Sequence, residues 1–234
     1  RSRSARGRWV RRSTRPASVS ATLSWWTAVT GNLRFRSLEL TRPDLSIVRE
    51  TDGRLYVAGM FIDPNKPSDG KGLDWLMLQR DIVIRDGRLQ WTDRLRAAPP
   101  LALDNFQLVL RNEWLHHQLS VRATPPAELA QPLDFRADFT HPAFGARSSN
   151  FSMWKGEVYA DIRNTDLQAW KTWVDYPFDL SKGHGSLRAW VGVDQSRLTG
   201  LTADVGLSDI TAVLGKDLPL LDLQQMSGRI AVHE

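Results

Sequence analysis

The chain has 234 residues, 41% of them apolar and 24% charged, a composition typical of a folded protein with a sizeable core. It has no cysteine, which excludes disulfides, thiolate metal sites and a cysteine nucleophile. Of its 31 basic residues, seven arginines lie in residues 1–16 together with no acid, so 24 basic residues face 26 acidic ones in the remainder. The body of the chain is not basic, and nucleic acid is not expected as a partner.

Residues 1–16 are an Arg/Ser-rich segment, which we interpret as a solvated, disordered arm. From residue 17 to residue 234 the pattern is continuous, with a possible soft division near 141–152 where a loop is predicted. No apolar run is long enough to span a bilayer. Because the sequence begins without a methionine, we expect it to be a piece of a longer protein.

Apolar residues recur at every second position through most of the chain, as in strands with one buried face. A strand is possible at Ser18–Leu23, and Leu23–Thr30 is expected to be a short helical or irregular segment. The stretch Leu38–Ala58 shows the repeated unit, in which a Pro43-Asp44 break and an Asp52-Gly53 turn separate three short strands. Asp-Gly between alternating segments is a strong hairpin signal, because it tolerates positive φ at both turn positions.

Residues 63–72 have little to bury and are predicted to form a surface loop. Asp74 is a suitable N-cap for a short helix at Trp75–Gln79. A second hairpin is predicted at Asp86-Gly87, between one strand that contains Ile82 and Ile84 and another that contains Leu89 and Trp91.

After Pro99-Pro100 further alternating segments continue to the C-terminus, interrupted by one helix at Leu167–Val174 that Thr165 or Asp166 would cap. Roughly a dozen strands with short connections favour antiparallel meanders. Two short helices cannot cover such a sheet. Its apolar face must therefore meet a second sheet, close into a barrel, or remain a groove that an apolar ligand occupies.

No group of residues forms a convincing catalytic site. Gly183-His184-Gly185-Ser186 lacks the strand–turn–helix context of a nucleophile elbow. His116 and His117 would point to opposite faces of a strand and cannot share a metal. We therefore expect neither enzymatic activity nor a cofactor nor a metal site.

An ordered series of short motifs carries a family resemblance over about nine-tenths of the chain. The series includes Pro43-Asp44-Leu45-Ser46-Ile47, Asp52-Gly53-Arg54-Leu55, Asp74-Trp75-Leu76, Leu89-Gln90-Trp91 and Trp154-Lys155-Gly156. It resembles the N-terminal region of the YhdP family, which belongs to the AsmA-like, TamB-related proteins of the bacterial envelope.

The resemblance implies a mainly β fold, an elongated and twisted antiparallel sheet that forms an open, taco-like groove with one or two short helices. It also implies a segment of a bridge-like transport protein that conducts phospholipids between the inner and outer membranes of a Gram-negative envelope. Its partners would be phospholipid acyl chains and the remaining segments of a longer AsmA-like chain. The location would be periplasmic, with the full-length protein anchored in the inner membrane.

The candidate groove residues are the apolar positions of the longest predicted strands. They are Leu108, Leu110, Leu119, Val121, Phe135, Val158, Leu187, Val191, Leu201 and Val205. Two alternatives remain open from the sequence. One is a closed β-sandwich with a structural or protein-binding role, and the other is a glycan-binding β-protein that uses some of its ten tryptophans as sugar platforms.

Overall fold

The computed structural model describes residues 17–24, 34–62, 71–143, 151–176 and 178–233. The basic arm at 1–16 lies outside these ranges, as do most of the segment predicted at Leu23–Thr30 and most of the loop predicted at 63–72. The described residues form one sheet of thirteen strands, two short helices and a 3-10 turn.

The strands are β1 (Ser18–Leu23), β2 (Phe35–Thr41), β3 (Asp44–Arg49), β4 (Leu55–Val57), β5 (Met60–Ile62), β6 (Asp81–Asp93), β7 (Leu101–Glu113), β8 (His116–Thr124), β9 (Leu133–Thr140), β10 (Lys155–Asp166), β11 (Asp179–Asp194), β12 (Arg197–Val213) and β13 (Leu221–His233). The helices are α1 (Lys71–Met77) and α2 (Leu167–Trp170), and the 3-10 turn is Phe151–Met153.

From β6 to β13, each strand pairs antiparallel with the next strand of the chain. The sheet is twisted and does not close into a barrel, and within the described residues no ladder joins β13 to β1 or β5. This confirms the predicted class, a mainly β protein with an open sheet and few, short helices. The sandwich alternative has no support, because all the described strands belong to one sheet.

The sheet is mixed rather than fully antiparallel, since β2 and β3 lie end to end along β6 and both run parallel to it. Parallel neighbours need a long crossover, which residues 50–80 supply. The two strands are separated at Arg42-Pro43, opposite Asp86-Gly87 of β6. Arg42 and Asp86 both have positive φ, 56° and 52°. The kink is thus shared by both sides of the ladder.

The prediction of a hairpin at Asp86-Gly87 is wrong. The strand β6 continues through these residues, and the register with β7 shifts there, as at a β-bulge. Hydrogen bonds on both sides of the kink hold the ladder together, from the Arg42 N–H to the Arg85 carbonyl at 2.7 Å and from the Arg88 N–H to the Pro43 carbonyl at 2.9 Å.

The hairpin predicted at Asp52-Gly53 is confirmed, because β3 and β4 pair on either side of it. Of the two residues only Gly53 has positive φ, at 84°, and its N–H donates to the Glu50 carbonyl at 3.0 Å. The connection is therefore a longer loop that ends in a left-handed glycine. The two-residue turn with positive φ at both positions lies instead at Ala58-Gly59, between β4 and β5.

The helix predicted at Trp75–Gln79 begins earlier, at Lys71, so Asp74 lies in its first turn and does not cap it. The cap predicted for the second helix is confirmed at Asp166, whose side chain accepts a hydrogen bond from the Ala169 N–H at 2.9 Å. That helix ends at Trp170 rather than at Val174.

Candidate functional site

Two rows of apolar side chains cross the sheet on one face, with one residue from each of ten strands. Cross-strand partners point to the same side of a sheet, so the register defines these rows directly. The first row is Ala21, Leu38, Ile82, Leu110, Leu119, Ala137, Val158, Val191, Leu201 and Val232. The second row is Val19, Leu40, Ile84, Leu108, Val121, Phe135, Ala160, Ala189, Ala203 and Ile230. We call this side of the sheet the apolar face.

The apolar face is only partly covered. Ile82 and Ile84 are buried, whereas the central positions of β8 to β12, such as Leu119 and Val158, are mostly half-buried. The ends of the rows are open, with Val19 69% and Val232 59% exposed. Half-buried aliphatic side chains in the middle of a large sheet are unusual for a closed core, where such residues are nearly fully buried.

All ten residues predicted from the sequence lie on the apolar face. Five belong to the first row and three to the second, and Leu187 and Val205 are direct partners next to the second row. The sequence did not identify Ile82 and Ile84, because the misassigned hairpin divided β6 into two short strands. It also omitted the alanines, Ala160 among them, which share the alternation but carry a weak apolar signal.

The opposite face is polar and carries a row of charged residues, three arginines and three aspartates. Its members, in strand order from β8 to β13, are Arg122, Asp134, Asp161, Arg188, Asp204 and Arg229. Arg229 Nε lies 2.6 Å from Asp204 Oδ1, and Arg122 Nη2 lies 3.1 Å from Asp134 Oδ2. The Arg229 hydrogen bond holds the pKa of Asp204 below its usual value. The sheet therefore has one solvated face and one face that needs apolar cover.

One rim of the sheet holds a stack of three rings. The His117 ring lies 4.6 Å from the Trp154 ring and 5.1 Å from the His141 ring, with interplanar angles of 6° and 14°. His117 Nδ1 donates to Asn112 Oδ1 at 2.7 Å, since the amide oxygen can only accept. Burial, followed by the neighbouring His141 and His116, lowers the pKa of His117 to about 4. The ring is thus uncharged at pH 7, and its flat surface packs against the neighbouring rings at this rim.

The opposite rim is held by contacts between distant parts of the chain, which we call the clasp. The Trp173 indole N–H donates to the Pro99 carbonyl at 3.1 Å, and Arg96 Nη1 donates to Asp175 Oδ1 at 2.7 Å. The connection after α2 is thereby joined to the loop between β6 and β7. The Trp170 indole N–H donates to the Leu129 carbonyl at 3.2 Å, in the intervening loop between β8 and β9. Three successive loops of this rim are therefore linked.

In the described part of the chain, no three His, Asp or Glu side chains are grouped as a metal site would need. Ser186 accepts a hydrogen bond from the Asn164 N–H at 3.1 Å. His116 lies on the polar face against Asp138, and His117 lies on the apolar side. The two histidines point apart, as the alternation predicts.

Among the described ranges, no helix has the length and apolar character that a membrane crossing requires. The fold and the face together define a class of protein, one that presents a long open sheet with a continuous, partly uncovered apolar surface. A family model described as YhdP protein matches residues 11–234, so the chain belongs to the YhdP family of AsmA-like bacterial envelope proteins. This confirms the family resemblance of the motifs. No curated protein and no solved structure gives a significant match.

Proposed function

We propose that this chain is a non-enzymatic segment of a bridge-like lipid transporter, in which phospholipid acyl chains lie along the apolar face. The observation that carries the proposal is the pair of uninterrupted apolar rows, which cross ten strands and are only half covered. Acyl chains supply the cover that neither a second sheet nor the short helices provide.

The dimensions of the rows suit such a path. Ten strands have nine spacings of ~4.8 Å, so each row is roughly 43 Å long. A bilayer core is about 30 Å thick, so one acyl chain spans roughly 15 Å and each row could seat more than two chains end to end. Each buried methylene contributes about 0.8 kcal/mol, and binding therefore needs no specific polar site.

The surroundings of the rows support movement along them rather than a fixed pocket. All twenty positions are apolar, so no charged or polar side chain within the rows fixes a ligand at one place. In this proposal the face lies in the periplasm, the headgroups stay in solvent along the rims, and further segments of a longer, membrane-anchored protein extend the path.

Photo-crosslinking tests where the lipid lies. Val158 and Tyr159 are adjacent on β10 and point to opposite faces. With a photoreactive residue at each position in turn, the chain is mixed with vesicles of phosphatidylethanolamine and phosphatidylglycerol, irradiated, and analysed by mass spectrometry. We expect lipid adducts at position 158 and few at 159. Equal labelling at both positions, or none at 158, would overturn the proposal.

A charge on the apolar face should reduce lipid binding. Leu201 and Thr202 are adjacent, half-buried residues of β12 that point to opposite faces. Leu201→Asp places a carboxylate against the acyl chains, and we expect about tenfold less phospholipid in native mass spectra. Thr202→Asp is the matched control and should bind lipid as the wild type does. Unchanged lipid content in folded Leu201→Asp would contradict the assignment.

A further inference from the structure

A second candidate binding site lies on the polar face. A depression of about 480 Å³ is formed there by side chains of β7 to β11. Its wall includes Tyr159 and Trp190, which are cross-strand partners, and its border includes Glu157 and Arg111. The thickness of the sheet separates this depression from the apolar rows, so a ligand here would not compete with acyl chains.

The depression has one aromatic surface that remains available. The rings of Tyr159 and Trp190 lie 5.4 Å apart at an angle of 55°. The Arg136 guanidinium lies over the Tyr159 ring, 5.6 Å from its centroid, and covers it. Trp190 is half-buried, and its indole N–H has no hydrogen-bond partner within the described residues. This N–H is therefore free to donate to a ligand.

Several other polar groups of the depression have no close partner among the described residues. Among the described residues, the Glu157 carboxylate and the Ser120 hydroxyl have no side-chain hydrogen bond or ion pair. Arg111 has only a 4.0 Å approach to Asp81. The depression thus presents a free acceptor, Glu157, on the strand next to Trp190, and the donors Ser120 and Arg111 three and four strands away.

The other two charged groups of the depression already have partners. Gln118 Nε2 donates to Asp138 Oδ2 at 2.9 Å, and Arg136 Nη2 donates to Asp134 Oδ2 at 2.9 Å. The four charged residues of the lining are Arg111, Arg136, Asp138 and Glu157, so the two positive and two negative charges cancel. A neutral ligand suits this balance, because an anion would meet the carboxylates and a cation the guanidinium groups.

We propose that this depression is a site for a neutral oligosaccharide, in which one pyranose ring stacks on Trp190 and donates to Glu157. A further ring, toward β7, accepts from Arg111, whose strand lies four spacings, or about 19 Å, from that of Trp190. A pyranose has an apolar face of C–H groups and hydroxyls that both donate and accept, and a chain of such rings matches an aromatic ring with a free acceptor near it and free donors farther along the same face. A flat aromatic ligand without N–H or O–H groups would leave the carboxylate without a donor.

The test uses the 234-residue chain with two neutral probes, tri-N-acetylchitotriose and maltotriose, and measures binding by saturation-transfer NMR and titration calorimetry. We expect at least one probe to bind and Trp190→Ala to weaken its affinity by at least about tenfold, or 1.4 kcal/mol. Trp114→Ala is the matched control, since Trp114 is 88% exposed and lies outside the depression. No binding of either probe, or an equal loss in Trp114→Ala, would overturn the proposal.

Two further variants protect the test against misfolding. Trp190→Phe keeps an aromatic surface and should retain more affinity than Trp190→Ala. Glu157→Gln removes the charge with little change of shape and should weaken binding severalfold, whereas Glu113→Gln, at the C-terminal end of β7 and outside the depression, should not. If Trp190→Phe and Glu157→Gln both bind the sugar with wild-type affinity, the sugar does not bind in this depression. The Leu201→Asp variant should bind sugar normally, which separates this site from the lipid path.

Discussion

At the scale of single residues, the space between neighbouring strands decides whether a glycine can be replaced by a residue with a side chain. Gly156 pairs with Phe139 across β9 and β10. A Cβ atom at this position would lie 2.7 Å from Phe139 Cδ1 and would also overlap the Asp138 carbonyl oxygen. Gly228 on β13 has nothing within 4 Å of the same position. Two glycines in strands therefore have opposite tolerance for a side chain.

We expect Gly156→Ala to lower the free energy of unfolding by roughly 2–4 kcal/mol, because two of the overlapped atoms, the Asp138 carbonyl oxygen and Phe139 Cα, belong to the neighbouring backbone and cannot move aside cheaply. Gly228→Ala should change it by less than about 0.5 kcal/mol. Urea unfolding of both variants measures the difference. Similar stability of the two would show that β9 and β10 are not as close as described.

His117 should make stability depend on pH. The pKa of its ring is lowered from 6.5 to about 4 in the folded chain, chiefly by burial. Between these values the unfolded chain binds a proton that the folded chain does not, so the free energy of unfolding should fall as the pH is lowered from 6.5 to 4, by up to about 3 kcal/mol. His117→Phe should flatten this part of the profile, and His116→Gln should flatten it much less, because His116 is the smallest of the three causes that lower the pKa of His117. A wild-type slope in His117→Phe would exclude His117 as its source.

At the scale of elements, alternation predicted which residues share a face, because the period of two is a property of the strand itself. It could not predict which strands are neighbours. The local Asp-Gly signal at 86–87 is the same as at 52–53, but at 86–87 the neighbouring pair β2 and β3 extends along β6 and keeps it continuous. Only long-range pairing distinguishes a bulge from a hairpin at such a site.

Arg96 of the clasp contacts two carboxylates, those of Asp93 and Asp175. Their contributions to the stability of the fold should differ greatly. Asp93 is 1% exposed, accepts from Arg49 Nε at 2.9 Å and from the Arg96 N–H at 3.2 Å, whereas Asp175 is 80% exposed. Burial alone would raise the pKa of Asp93, but the hydrogen bonds from Arg49 and Arg96 lower it overall. Asp93 is therefore the buried acceptor that joins Arg49 of β3 to the loop after β6 at this rim.

We expect Asp93→Asn to lower the free energy of unfolding by about 2–4 kcal/mol, because it leaves Arg49 without its buried partner. Asp175→Asn should change it by less than about 1 kcal/mol, as for most exposed ion pairs. Thermal or urea unfolding at pH 7 measures both. A larger loss in Asp175→Asn than in Asp93→Asn would contradict this view of the clasp.

At the scale of the molecule, a ligand on the apolar face should stabilise the fold, since the face exists only when the strands are paired. A short-chain phosphatidylcholine, kept below its micelle concentration, should raise Tm. At a hundredfold excess over Kd the gain is about 2.7 kcal/mol, or roughly 5–10 °C for a chain of this size. Leu201→Asp should show a smaller rise than Thr202→Asp. A Tm unaffected by the lipid would argue against binding to the folded chain.

Much of the apolar face followed from the sequence, because Leu110, Val158 and Leu201 are large aliphatic residues in clear alternation. The sequence could not show whether a second layer covers them, since covered and uncovered strands have the same period. The polar-face depression was not predicted at all. Glu157, Tyr159 and Trp190 come from adjacent strands and meet only when β10 and β11 are in register.

The open edges of the sheet have a consequence for how such a protein can vary in length. A closed barrel fixes its strand number, tilt and stagger together, so a strand cannot be added without rebuilding the whole. From β7 to β12 each strand pairs only with its neighbours in sequence, and β13 pairs only with β12, as in a repeat protein. One more hairpin would lengthen the apolar rows by about 9.6 Å and leave the existing contacts unchanged. Insertion or deletion of hairpins can therefore change the length of the apolar rows without rebuilding the rest of the sheet.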